Sequence, residues 1–185
     1  MDFPQKQAGH SALLLAALLG LSQCKKDNSS PADQLPPATQ TGANTFGCLL
    51  NGQPWTPNGN NGKPNFNVSY DPGYAGGALQ VKTYRYVEPN QVRQGITFGA
   101  ANVTQAGVYS FDLLNSNSVF YNDLGKPSPC DYIGDPPRVT YRKGTLTITR
   151  LDLTQGIISG TFAFTLYQPG CDSVRVTNGR FDKKL

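Results

Sequence analysis

The chain predicts an all-β domain: an antiparallel β-sandwich or a small β-barrel of about 9–10 strands. Three observations carry that expectation. Runs of alternating polar and apolar residues, rich in Val, Ile, Thr, Phe and Tyr, recur from residue 45 onward. Gly, Pro and Asn punctuate these runs at short intervals, as turns require. No window of about ten residues keeps the 3.6-residue period of an amphipathic helix.

The elements follow in order. The first predicted strand is Thr45–Asn51, with Phe46, Cys48 and Leu50 on one face. Asn51-Gly52 between Leu49-Leu50 and Pro54-Trp55 predicts a two-residue type I′ turn, because both central positions of that turn need positive φ. PNGNNGKPN at 57–65 predicts an irregular loop. Asn65–Tyr70, Ala78–Val87, Gly95–Val103, Val108–Leu114 and Ser118–Tyr121 are the strands of the first half. Arg138–Lys143, Thr145–Leu151, Gly156–Tyr167, Ser173–Thr177 and Arg180–Lys184 are those of the second. Between the last two, Asn178-Gly179 predicts a second type I′ hairpin. Trp55, just after a turn, reads as a core anchor.

Residues 45–185 are therefore one domain, and two different segments precede it. Ser11–Leu21 reads SALLLAALLGL. As a helix this run would be about 16 Å long, roughly half a bilayer core, so 1–23 reads as a signal peptide and not as a membrane span. Leu21-Ser22-Gln23-Cys24 resembles the lipobox of bacterial lipoproteins. The resemblance implies cleavage before Cys24, a diacylglycerol on its thiol, and membrane attachment through that lipid. Two or three acyl chains make such an anchor effectively permanent. Residues 25–44, KKDNSSPADQLPPATQTGAN, contain no aromatic residue and one large aliphatic, Leu35. So 24–44 reads as a lipidated cysteine with a flexible tether spanning about 25 Å.

Composition excludes several function classes. The one histidine, His10, lies in the segment that signal cleavage would remove. A mature chain without histidine cannot use Ser-His-Asp or Cys-His catalysis, or a His-ligated metal. Half of the formal net charge of +4 resides in Lys183 and Lys184. The other cations are scattered and form no basic stripe, so no nucleic-acid partner is expected.

Four segments form an ordered set: Phe46-Gly-Cys-Leu-Leu-Asn-Gly-Gln-Pro-Trp55, Gly144–Asp152, Gly156–Phe164 and Val174–Asp182. Together they resemble a domain-of-unknown-function family of Bacteroidota-type lipid-anchored envelope lipoproteins. The likeness covers most of residues 45 to 183. It implies a lipid-anchored all-β envelope protein and brings no activity with it. The corresponding location is the outer membrane facing the periplasm, with the cell surface as the alternative.

Candidate site residues are few. Cys130 and Cys171 each lie in a Pro- or Gly-flanked loop before an Asp and are expected to form a disulfide in an oxidising compartment, with a pairing through Cys48 as the rival. Otherwise Cys48 reads as a buried free thiol. Tyr70, Tyr74, Tyr84 and Tyr86 form the richest aromatic patch and are the candidate ligand contacts, against the plainer reading of rings covering a sheet face. Asp172-Ser173-Val174 resembles a short O-glycosylation motif, which makes Ser173 a candidate acceptor. No spacing selects a catalytic carboxylate pair, a metal site or a cofactor site. The function expected is a lipid-anchored envelope lipoprotein with a non-catalytic binding or structural role, its partner an envelope protein or glycan. A calycin-like carrier of a small apolar ligand and an Asp-dependent hydrolase of envelope glycans are the alternatives.

Overall fold

Ten strands follow one another through a computed structural model that describes residues 30–114, 116–126, 130, 132 and 140–185. The apolar run, the lipobox and Cys24 lie outside these residues, as does the start of the strand expected at Arg138. The strands are β1 (Thr45–Leu50), β2 (Gln53–Trp55), β3 (Phe66–Asp71), β4 (Ala78–Val87), β5 (Val92–Ala100), β6 (Gly107–Ser110), β7 (Ser118–Asp123), β8 (Tyr141–Asp152), β9 (Ile157–Tyr167) and β10 (Val174–Lys184). Six form one sheet in the order β2-β1-β10-β9-β8-β6, and four form the other in the order β3-β4-β5-β7. Every pairing is antiparallel. Each sheet keeps two edges, so the domain is an open sandwich and the barrel alternative is set aside.

Alternation builds the core between the sheets. In β4, Leu79, Val81 and Thr83 face inward while Gln80, Lys82 and Tyr84 face outward. Aromatic rings bridge the layers: Phe98 of β5 lies 4.7 Å from Phe162 of β9 and 6.0 Å from Phe181 of β10, and Phe46 of β1 lies 5.6 Å from Phe66 of β3. Each such ring, fully buried, contributes about 1.5–3 kcal/mol relative to an exposed one. Trp55 is fully buried, as its position after a turn predicts.

The Asn51-Gly52 turn forms as expected, with φ of 49° and 82° and Leu50 paired to Gln53. Asn178-Gly179 does not form a hairpin. It sits inside the continuous strand β10 as a bulge, where the register shifts between Val176 and Gly179. β10 has partners on both sides, β1 and β9, and a reversal would leave both ladders unpaired. Glycine is needed there for closeness: a Cβ on Gly179 would lie 2.5 Å from the Phe162 ring. Gly144 likewise continues β8 where the sequence predicts a break, since a Cβ there would meet the Ala163 carbonyl oxygen at 2.3 Å.

The tether reading also changes from Ser30 onward. Pro31–Gln34 form a short 3-10 helix, and residues 35–44 run as a strap over the outer face of the six-stranded sheet. Leu35 is buried, Pro36 packs on Gly47, and Arg180 and Arg150 donate to the carbonyls of Pro36 and Gln40. Composition alone could not reveal this, because the strap buries little apolar surface and is held through polar contacts. A Cβ on Gly47 would sit 2.7 Å from Pro36 Cδ. Gly47→Val is therefore expected to cost about 1–3 kcal/mol by overpacking. It should also expose 30–44 to faster cleavage in limited proteolysis, and an unchanged cleavage rate would show that the strap adjusts.

Candidate functional site

The two sheets present very different outer faces. That of the six-stranded sheet is partly covered by the strap, which leaves a cavity of about 340 Å3 lined by Ala38, Thr145, Thr147, Thr161 and Arg180; Asp182 of β10 is the clamp. Its side chain is only 1% exposed. Oδ2 accepts from Thr39 Oγ1 at 2.7 Å and from the Thr41 and Ala43 N–H groups at 2.9 and 3.0 Å. Oδ1 accepts from Gly42 N–H at 2.8 Å and from Ser159 Oγ at 2.7 Å. Burial pushes the carboxyl upward, but the donors of Thr39, Ala43, Ser159 and Thr41 outweigh it and hold the group well below the usual carboxylate range.

The outer face of the four-stranded sheet carries no strap. A cavity of about 360 Å3 opens there, floored by Thr97 and Gly95 of β5 and walled by Lys82 and Tyr84 of β4 and Asn122 of β7. Asn61 and Lys63 of the 57–65 loop form one rim. That loop is the irregular connection the sequence predicts, and Tyr84 is what holds it. The Tyr84 hydroxyl lies 2.6 Å from the Lys63 carbonyl oxygen and 2.8 Å from Asn61 Oδ1, and accepts from the Asn61 N–H. The Tyr86 N–H donates to Asn58 Oδ1 at 2.7 Å. Gly59 must be glycine, with φ of 79° and the Tyr86 ring 2.5 Å from where a Cβ would sit.

The four candidate tyrosines therefore do not make one platform. Tyr84 and Tyr86 are edge-to-face at 5.7 Å, but Tyr84 is only 5% exposed beneath its loop. Tyr70 pairs with Leu79 and turns to the core face, donating its hydroxyl to the Val103 carbonyl at 2.7 Å. Leu79 and Tyr84 are about 17 Å apart along β4. Tyr74 is 69% exposed in the turn at the Tyr70 end. Tyrosine here supports a wall and a loop, and the open surface belongs to other residues.

Alternation already puts Lys82 on that face with Tyr84 and Tyr86; the residues missed by sequence reasoning are Lys63, Arg93 and the amides. The Arg93 guanidinium stacks 5.1 Å from the centre of the Tyr84 ring. Its Nε is buried and has no hydrogen-bond partner among the described residues. Lys63, Lys82 and Arg93 line the cavity with Asn61, Asn67 and Asn122, and no carboxylate lines it. The available signal was the alternation of β4, which puts Lys82 and Tyr84 on one face; β5 and β7 repeat it with Arg93, Thr97 and Asn122. Nothing local says that this face stays uncovered.

The other candidates fall elsewhere. Cys130 and Cys171 form the expected disulfide, and Cys48 is the buried free thiol. Burial pushes the Cys48 thiol up to about 12, with the Arg85 guanidinium pulling the other way by less, so it stays protonated and inert. Ser173 is exposed just ahead of β10, beside Asp172, which pairs with Lys126 at 3.7 Å. At one end of the sandwich, Gln94 accepts from Trp55 Nε1 and Arg85 Nε and donates to Asp123, which also accepts from Tyr121. That network satisfies buried polar groups and needs no ligand to explain it. Asp71, Asp152 and Asp182 are likewise engaged in turn or strap hydrogen bonds. Among the described residues, no three Asp, Glu, His or Cys side chains gather where they could hold a metal ion. No described helix is long and apolar enough to cross a membrane. Compared with protein families, with curated proteins and with solved structures, the chain matches none.

Proposed function

We propose that this chain is a lipid-anchored protein of the bacterial cell envelope with a non-catalytic binding role, attached to the membrane through Cys24 and using the outer face of the four-stranded sheet to hold its ligand. The observation that carries the reading is the difference between the two outer faces. One is partly covered by the strap and lines its remaining cavity mostly with threonine, alanine and glycine beside Arg180, and the other opens a cavity rimmed by three cations and several amides.

The strap also sharpens the anchoring. Five residues separate Cys24 from Ser30. Fully extended, that stretch reaches about 21 Å. The edge of the six-stranded sheet next to the 3-10 helix would then be held close to the bilayer. The likeness to Bacteroidota-type envelope lipoproteins, the lipobox-like Leu21-Ser22-Gln23-Cys24 and the lack of histidine after His10 all favour this role over catalysis.

Cys24→Ala is the direct test. The variant is expected to move from the membrane to the soluble fraction of disrupted cells and to lose incorporation of labelled palmitate. If it stays in the membrane fraction, the lipid-anchor reading is wrong.

A further inference from the structure

We infer that the open face of the four-stranded sheet binds an acidic polysaccharide, one whose sugars carry carboxylates. This rests on the reading of that face as the binding surface and adds the class of ligand. Charge comes first. Lys63, Lys82 and Arg93 converge on one cavity that no carboxylate lines, and among the described residues none of the three forms an ion pair. Like charges gathered without a counter-charge are held at a cost, which an anionic ligand relieves.

Arg93 is the more telling of the three. Stacking on Tyr84 immobilises its guanidinium, and its buried Nε has no partner among the described residues. A buried donor without an acceptor is rare enough to need an explanation. A fixed planar donor is also the side chain best matched to a carboxylate. Tyr84 is itself held by the Asn61 and Lys63 backbone, so the rim, the ring and the guanidinium form one preorganised unit.

The remaining chemistry selects a sugar over a peptide or a lipid. Asn61, Asn67, Asn122 and Thr97 offer paired donors and acceptors, as the hydroxyls of a pyranose require. A peptide that reads a sheet adds to an edge, where N–H and C=O groups are free, whereas this face offers only side chains. A lipid chain needs an apolar groove, and the floor here is Thr97 and Gly95. Asn122 reaches over Gly95, its Oδ1 only 2.3 Å from where a Cβ would sit.

The test uses the full chain purified in detergent, titrated with polygalacturonate and alginate as acidic probes. Dextran is the neutral probe, and vesicles of phosphatidylglycerol are the lipid probe. Binding to an acidic polysaccharide is expected, weakening as salt rises and falling about tenfold in each of Lys82→Gln and Arg93→Gln. Lys82 is exposed, so Lys82→Gln keeps the test valid if the Arg93 variant folds poorly. Thr97→Trp fills the floor and should abolish binding without changing charge. Binding of dextran that Thr97→Trp abolishes would overturn the acidic ligand and leave the face as the binding surface. Binding to vesicles alone, or to no probe, overturns the inference. Polysaccharide binding untouched by Thr97→Trp overturns the reading of the face itself.

Discussion

Asp182→Ala is expected to lower the unfolding free energy by about 3–5 kcal/mol, measured by urea denaturation. It should also free residues 35–44 for proteolysis. Six donors converge on this one buried carboxylate, three of them backbone N–H groups of the strap. Removing the acceptor strands donors that the strap and Ser159 have already withdrawn from water. Asp182→Asn keeps the shape but turns an amide toward N–H groups, so it should recover little. The pH dependence has a definite sign. The folded-state pKa is depressed, so the contribution is complete above the unfolded value of about 3.9 and is lost as pH falls below it toward the folded value. Wild type should therefore lose stability steeply below about pH 4, and Asp182→Ala should show a flatter acid limb. Equal slopes would mean that Asp182 is not the clamp.

Loss of the disulfide should have a similar effect. Cys130 and Cys171 are 41 residues apart, and the closed loop includes β8 and β9, the two longest-paired strands of the larger sheet. In the chain-entropy model a crosslink of that span stabilises by about 4 kcal/mol. The Cys130→Ser, Cys171→Ser double variant should show that loss in urea denaturation. A reducing agent should lower the wild type to the same level and leave the variant unchanged. If reduction also weakens the variant, Cys48 has been taking part in a bond, contrary to its position as a buried free thiol.

Much of the fold was legible because its determinants are local. The alternation of Phe46, Cys48 and Leu50 set the buried face of β1, and Asn51-Gly52 set the turn, since few other residue pairs accept two successive positive φ angles. Asn178-Gly179 carries the same dipeptide and behaves otherwise. Its φ of 52° at Asn178 serves a bulge, because β10 continues between β1 and β9, whereas Asn51-Gly52 joins β1 to the edge strand β2. A dipeptide states what the backbone can do, and the neighbouring strands choose among those options. The face proposed to bind was half legible for the same reason. Alternation placed Lys82, Tyr84 and Tyr86 together, but Tyr70 turned to the core, and the loop over Tyr84 took that ring out of reach of a ligand.

By itself, then, the sequence determined the all-β class, the Asn51-Gly52 turn, the core positions of Phe46 and Trp55 and the eligible cysteine pair. Each follows from period-two patterning, from φ requirements or from residue chemistry acting over a few positions. Only the tertiary structure decided that the domain is an open sandwich, that Arg93 stacks on Tyr84 at the wall of an open cavity, and that the residues after Ser30 lie on the domain as a strap. The physical reason is distance along the chain. Asp182 meets Thr39, Thr41, Gly42 and Ala43 across 139 to 143 residues, and only the sheet that carries Asp182 makes a polar segment worth ordering.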